Sequence, residues 1–200
     1  GFEKVPETTI VTDVKASLRP YQKSGVDWLC FLRKWGLGAL LADDMGLGKT
    51  LQSICILQGK SLIIAPTSVL YNWEVEIKRF RSNLKINIFH GANRQLDMTA
   101  DVILTTYAVM RLNQDELSRP SWDVVVLDEA QMIKNPDSKI AKAVYCLSSS
   151  FKLALTGTPI ENSLEDMWSL FHFLNRGIMH QRKEFQREYM KPILLGDEKV

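Results

Sequence analysis

The feature that most constrains this sequence is an alternation. Short apolar runs of strand length are separated by segments whose apolar residues recur at helical spacing. Residues 38–42, 61–65, 86–89, 102–106, 123–127 and 152–156 read as strands. Residues 20–35, 49–57, 69–80, 107–112, 138–147 and 164–175 read as helices, the first with Pro20 in its permissive opening turn. Strands such as Val124 to Leu127 are apolar without a break, which suits a central parallel strand covered on both faces. The expectation is an α/β fold in three layers, a central and mostly parallel sheet with helices on both sides.

Composition agrees with one ordinary globular domain. The chain has 200 residues, 46% of them hydrophobic and 24% charged, enough to bury a sizeable core. No apolar run approaches the length of a membrane span, and the first residues do not resemble a secretory signal. Cys30, Cys55 and Cys146 are odd in number, widely spaced and set in apolar segments, so they read as buried reduced thiols. His90, His172 and His180 lack ligand spacing, and the net charge of +2 does not decide for or against a polyanionic partner.

The chemistry concentrates at two places. Residues 43–50 read Asp-Asp-Met-Gly-Leu-Gly-Lys-Thr, directly after one strand and before a helix. A loop there turns backbone N–H groups toward one point, and the helix dipole adds positive potential, so phosphates bind. Gly46 and Gly48 permit the tight turn, Lys49 reaches the β and γ phosphates, and Thr50 offers a hydroxyl to Mg2+. Asp43 stands where the strict phosphate-loop pattern has its first glycine.

The second place is the pair Asp128-Glu129 at the end of the apolar run from Val124. A strand end points its first carboxylate at the edge of the sheet where α/β ligands bind. Asp128 there would hold Mg2+ and Glu129 would act as general base toward an attacking water. Together the lysine loop and the acidic strand end make the two halves of a Mg–nucleotide site.

These residues resemble the first RecA-like lobe of a superfamily-two helicase-type motor, and more narrowly the SWI/SNF family of DNA-translocating ATPases. Leu18-Arg19-Pro20-Tyr21-Gln22 is similar to the family's adenine-recognising motif, and residues 41–50 to its motif I, where an acid at position 43 is normal. Residues 64–73, ending in Asn72-Trp73, resemble motif Ia, and Leu104-Thr105-Thr106-Tyr107 a later strand-end motif. Asp128-Glu129-Ala130-Gln131 is similar to motif II and residues 155–162 to motif III. Most of the family has His where this chain has Gln131.

The resemblance implies a lobe over residues 18–193, an extension over 1–17 and a linker over 194–200 toward a second lobe. It implies ATP and Mg2+ as cofactors. Arg19, Gln22, Asp44, Met45, Gly46, Leu47, Gly48, Lys49, Thr50 and Leu51 would bind nucleotide, and Thr50 and Asp128 the metal. Lys49, Asp128, Glu129 and Gln131 would serve hydrolysis, and Thr156, Gly157 and Thr158 its coupling to movement. Pro66, Thr67, Ser68, Asn72, Trp73, Thr105, Thr106 and Tyr107 would meet the phosphate backbone of double-stranded DNA without reading its sequence.

The expected partners are duplex DNA, the second RecA-like lobe and a DNA-bound protein cargo, with no membrane. The expected place is a prokaryotic cytoplasm, associated with the nucleoid, or a eukaryotic nucleus. Two other readings stand beside the motor: an RNA-directed or strand-separating helicase, and a module that binds ATP without turning it over. Two basic groups, Lys78, Arg79, Arg81 and Lys85, then Arg176, Arg182, Lys183, Arg187 and Lys191, read as solvated faces before they read as DNA contacts. The five tryptophans read as core.

Overall fold

The structure is a computed structural model that describes residues 5–7, 13–42, 46–157, 164–179 and 181–190. Among them six strands form one sheet in the order β1-β6-β5-β2-β4-β3, every pair parallel. The strands are β1 (Ala39–Leu41), β2 (Ser61–Ala65), β3 (Ile86–Ile88), β4 (Val102–Thr106), β5 (Ser121–Leu127) and β6 (Ser148–Leu155). The expected sheet was mostly parallel; the described one is wholly so.

Residues of β2, β4 and β5 alternate between two cores, because successive side chains of a strand point to opposite faces. Leu62, Ile64, Ile103, Val125 and Leu127 face one layer. Ile63, Ala65, Val102, Leu104, Val124 and Val126 face the other. Helices α1 (Pro20–Lys34), α2 (Lys49–Ile56) and α3 (Thr67–Phe80) cover the second face through Leu29, Ile54, Leu70, Trp73 and Ile77. Helices α4 (Tyr107–Leu112), α5 (Gln114–Ser118), α6 (Lys139–Tyr145) and α7 (Leu164–Leu174) cover the first, through Met110, Leu117, Val144 and Phe173.

Several boundaries differ from the sequence expectation. β5 and β6 begin earlier, where Ser121 pairs with Ser148 and Trp122 with Ser149. Backbone bonding draws those serines into the ladder although they carry no apolar signal. Helix α5 and a single turn at Ala130–Ile133 were not expected, being too short to show a period. A further helix, α8 (Arg182–Phe185), runs into a wider π turn over Gln186–Met190.

The last residues of the expected N-terminal extension lie against the lobe. Lys15 N–H donates to the Phe80 carbonyl at 2.7 Å, and Asp13 takes the Arg81 guanidinium at 2.9 Å. Of the cysteines only Cys55 is buried, and burial pushes its thiol up to about 11; Cys30 is half-buried and Cys146 exposed. Trp35 is likewise no core residue, being 66% exposed beyond the end of α1.

Candidate nucleotide site

Gly48 caps α2 with φ +79, a left-handed conformation that favours glycine. A Cβ at Gly48 would also fall 2.3 Å from Gln22 Nε2, so a side chain there would displace the Gln22 amide from the Leu47 carbonyl. Gln22 is buried there, its Oε1 accepting from Arg19 N–H at 3.0 Å and its Nε2 donating to the Leu47 carbonyl at 3.3 Å. The glutamine expected to meet adenine therefore joins its own helix cap to the phosphate loop. Asp44 and Met45 lie outside the described residues.

Lys49 and Thr50 open α2, followed by Leu51, and all three line a cleft of about 370 Å³. Gly46, Gly48, Val69, Asn72, Trp73, Glu76, Phe80, Asp128 and Glu129 complete its wall. The strand order explains the meeting: β1, which leads into the loop, is separated from β5, which ends in the acids, by β6 alone. The two halves expected from sequence share one cleft.

Asp128 continues the β5 ladder, its N–H donating to the Ile64 carbonyl at 2.9 Å. Its Oδ2 accepts from the Trp73 indole N–H at 2.8 Å and its Oδ1 from Glu129 N–H at 3.0 Å. Burial raises the Asp128 carboxyl above its ordinary range and the Glu129 charge adds to this, while the Trp73 bond and the Lys49 charge oppose it. A hydroxyl at Thr50 and a carboxylate at Asp128 are hard oxygen donors, few in number, which fits Mg2+ that takes its remaining ligands from phosphates and water.

Glu129 has φ 50 and ψ 55, the one non-glycine positive φ among the described residues. That left-handed backbone stores strain at a chemical site and turns the chain sharply after the strand. Gln131 then bridges two segments: its Nε2 donates to Glu129 Oε2 at 2.6 Å, and its Oε1 accepts from the Thr156 hydroxyl at 3.0 Å. Thr156 sits just past β6, between the loop strand and the acid strand, and is buried. Gly157 follows it, and Thr158 lies outside the described residues.

A family model described as SNF2-related domain matches residues 21–200. The chain belongs to the SNF2-related domain family. It is 42% identical over 207 residues to YwqA of Bacillus subtilis, provisionally described as an ATP-dependent helicase/translocase, spanning 96% of this chain and 22% of YwqA. It is 40% identical over 206 residues to the TATA-binding protein-associated factor MOT1 of Saccharomyces cerevisiae, spanning 90% of this chain and 11% of MOT1. The chain thus covers a small part of the length of these relatives.

Among solved structures, the SNF2-related chain matches the Sulfolobus solfataricus SWI2/SNF2 ATPase core in complex with dsDNA, at TM-score 0.88 and 44% identity. That match covers 95% of this chain and 43% of the Sulfolobus one. The Sulfolobus solfataricus SWI2/SNF2 ATPase core domain matches at TM-score 0.87 and 43% identity over 100% of this chain and 43% of the other. The fold is the RecA-like lobe that the sequence led us to expect.

Within this SNF2-related lobe, the residues expected to face nucleic acid divide in two. Thr67, Ser68 and Asn72 are exposed on α3, and Pro66 before them is half-buried. Trp73, Thr105, Thr106 and Tyr107 are buried, and their side chains are engaged inside the protein. Trp73 and Tyr107 bond to Asp128, the Thr105 hydroxyl donates to the Phe89 carbonyl, and Thr106 Oγ1 caps α4 by accepting from Val109 N–H.

Arg81 leaves the first basic group as well. It is 4% exposed, and its guanidinium donates to the carbonyls of Ile54 and Leu57 at the end of α2 as well as to Asp13. Lys78 pairs with Glu74, Arg79 with Glu76 and Lys85 with Asp97, as on a solvated face. In the second group Arg182 is held by Asp137 at 2.7 Å and by Glu165. The sequence reading missed what Trp73, Tyr107 and Arg81 hold. The available signal was chemical: an indole, a phenol and a guanidinium placed in or beside helices that bury them must find acceptors.

Proposed function

We propose that this chain is the ATP-binding lobe of a motor that couples ATP hydrolysis to movement along double-stranded DNA and to remodelling of protein–DNA complexes. The observation that carries the reading is the convergence of Lys49 and Thr50 with Asp128 and Glu129 on one cleft. Kinship with an ATPase core solved on dsDNA and with factors associated with TATA-binding protein supports the choice of DNA.

Backbone N–H groups at Gly46 to Lys49, with the α2 dipole, would cradle phosphates, and the Lys49 ammonium would reach the outer ones. Arg19 and Gln22 lie at the α1 edge of this loop, where the adenine would sit. Thr50 and Asp128 would hold Mg2+, which when bound neutralises charge on the phosphates. Glu129, aimed by the Gln131 amide, would take a proton from the attacking water.

A second lobe in a longer protein would close the cleft and bring arginines to the transferring phosphate. Such an arginine is worth about 10³ to 10⁵ in turnover, so this chain alone should hydrolyse ATP hardly at all. Exposed Thr67, Ser68 and Asn72 at the start of α3 would touch the DNA backbone. The direct test substitutes Lys49 and Glu129 in the full-length protein. Glu129→Gln should keep ATP binding and stop hydrolysis by about 10² to 10⁴, whereas Lys49→Ala should lose both. Unchanged turnover in Glu129→Gln would remove the base from this account.

A further inference from the structure

Asp128 is fixed from both sides of the sheet. Trp73, in the core beneath α3, donates its indole N–H to Oδ2 at 2.8 Å. Tyr107, in the opposite core and first in α4, donates its hydroxyl to the Asp128 carbonyl at 2.7 Å. Both rings are buried, at 1% and 3% exposure. Burial, then the charges of Asp128 and Glu129, push the Tyr107 phenol well above its ordinary value, so it stays a donor.

A core role alone would require only that each polar tip find some acceptor. Trp122 is such a case: equally buried, it donates to the Leu117 carbonyl, away from the cleft. Trp73 instead spends its one donor on the carboxylate that lines the nucleotide cleft. An indole suits that task because it only donates and does not compete for a cation. It fixes one oxygen of a carboxylate whose other oxygen is met by Glu129 N–H at 3.0 Å. Groups that orient a metal-holding side chain in this way set how well the site holds its ion.

We infer that Trp73 is a positioning residue for Asp128, with Tyr107 as the opposing post, and that Trp73 ties this acid to α3, whose exposed first turn carries Thr67 and Ser68. The link to DNA and the role of Asp128 toward the metal rest on the function proposed above; the hydrogen bonds that hold Asp128 do not.

The test uses the full-length protein with Trp73→Phe, Tyr107→Phe and, as control, Trp122→Phe. Mn2+ binding in the presence of the non-hydrolysable nucleotide AMP-PNP is followed by electron paramagnetic resonance, and ATPase activity is measured against duplex DNA. Trp73→Phe should weaken Mn2+ binding about 10-fold and Tyr107→Phe should shift it the same way, while Trp122→Phe leaves it unchanged despite a similar loss of thermal stability. Duplex stimulation should fall in Trp73→Phe at an unchanged half-saturating DNA concentration.

Equal Mn2+ affinities in Trp73→Phe and Trp122→Phe would overturn the proposal. If Trp73→Phe does not fold, Tyr107→Phe, which removes a single oxygen, decides by the same comparison. A wild-type protein without duplex stimulation would overturn the DNA reading, and the Mn2+ comparison would still decide the role of Trp73.

Discussion

At the scale of single residues, Gln131 joins the acid pair to the end of β6. Its amide has two ends, and each is used, one toward Glu129 and one toward Thr156. Gln131→Ala leaves Glu129 without this donor, so turnover should fall about 10² with nucleotide KM little changed, read from steady-state kinetics. Gln131→Glu should do worse, because it places a second carboxylate against the first. The two loop glycines make a second comparison. Both have positive φ, but only Gly48 has a neighbour, Gln22, within reach of an added Cβ. Gly46→Ala should cost about 1–2 kcal/mol of stability; Gly48→Ala should cost more and weaken ATP binding, as thermal unfolding with and without nucleotide would show.

At the scale of elements, α2 carries Lys49 at one end and is held by Arg81 at the other. Arg81→Ala leaves the Ile54 and Leu57 carbonyls and Asp13 without their buried cation, at a cost of about 3 kcal/mol in denaturant unfolding. Lysine cannot restore it, since a single ammonium lacks the planar fork. Burial raises the Asp13 carboxyl, but hydrogen bonds from Arg81 and Asn83 and the Arg81 charge outweigh it and leave the value lowered. The contribution is therefore complete above the unfolded value of about 3.9 and is lost as pH falls through the lower folded value. Acid titration of the unfolding midpoint should show this dependence in the wild type and a weaker one in Arg81→Ala.

The same elements show what the sequence could tell. β2 and β4 match their expected bounds, because burial on both faces writes an unbroken apolar run. The meeting of the glycine–lysine loop with the acid pair was legible because each stands at the end of a buried strand. What Trp73 and Arg81 do was not, since both look like any ring or charge in an amphipathic helix and their partners lie far away in sequence. Trp73 and Asp128 are 55 residues apart, and Thr156 and Gln131 are 25 apart. The parallel stacking of β6, β5 and β2 brings such pairs to one edge.

At the scale of the molecule, Gly46, Gly48, Lys49, Thr50 and Leu51 meet Asp128 and Glu129 in one cleft at the C-terminal edge of the sheet. The chain spans 43% of the Sulfolobus SWI2/SNF2 ATPase core that it matches. The central claim is that the chain provides half of a DNA-stimulated ATPase site. Its most direct test is phosphate release by the full-length protein with and without duplex DNA, with this 200-residue chain measured beside it. Duplex should strongly stimulate the full-length protein, and the chain alone should be nearly silent. Stimulation by RNA or single strands only, or sustained duplex-dependent turnover by the isolated chain, would contradict it.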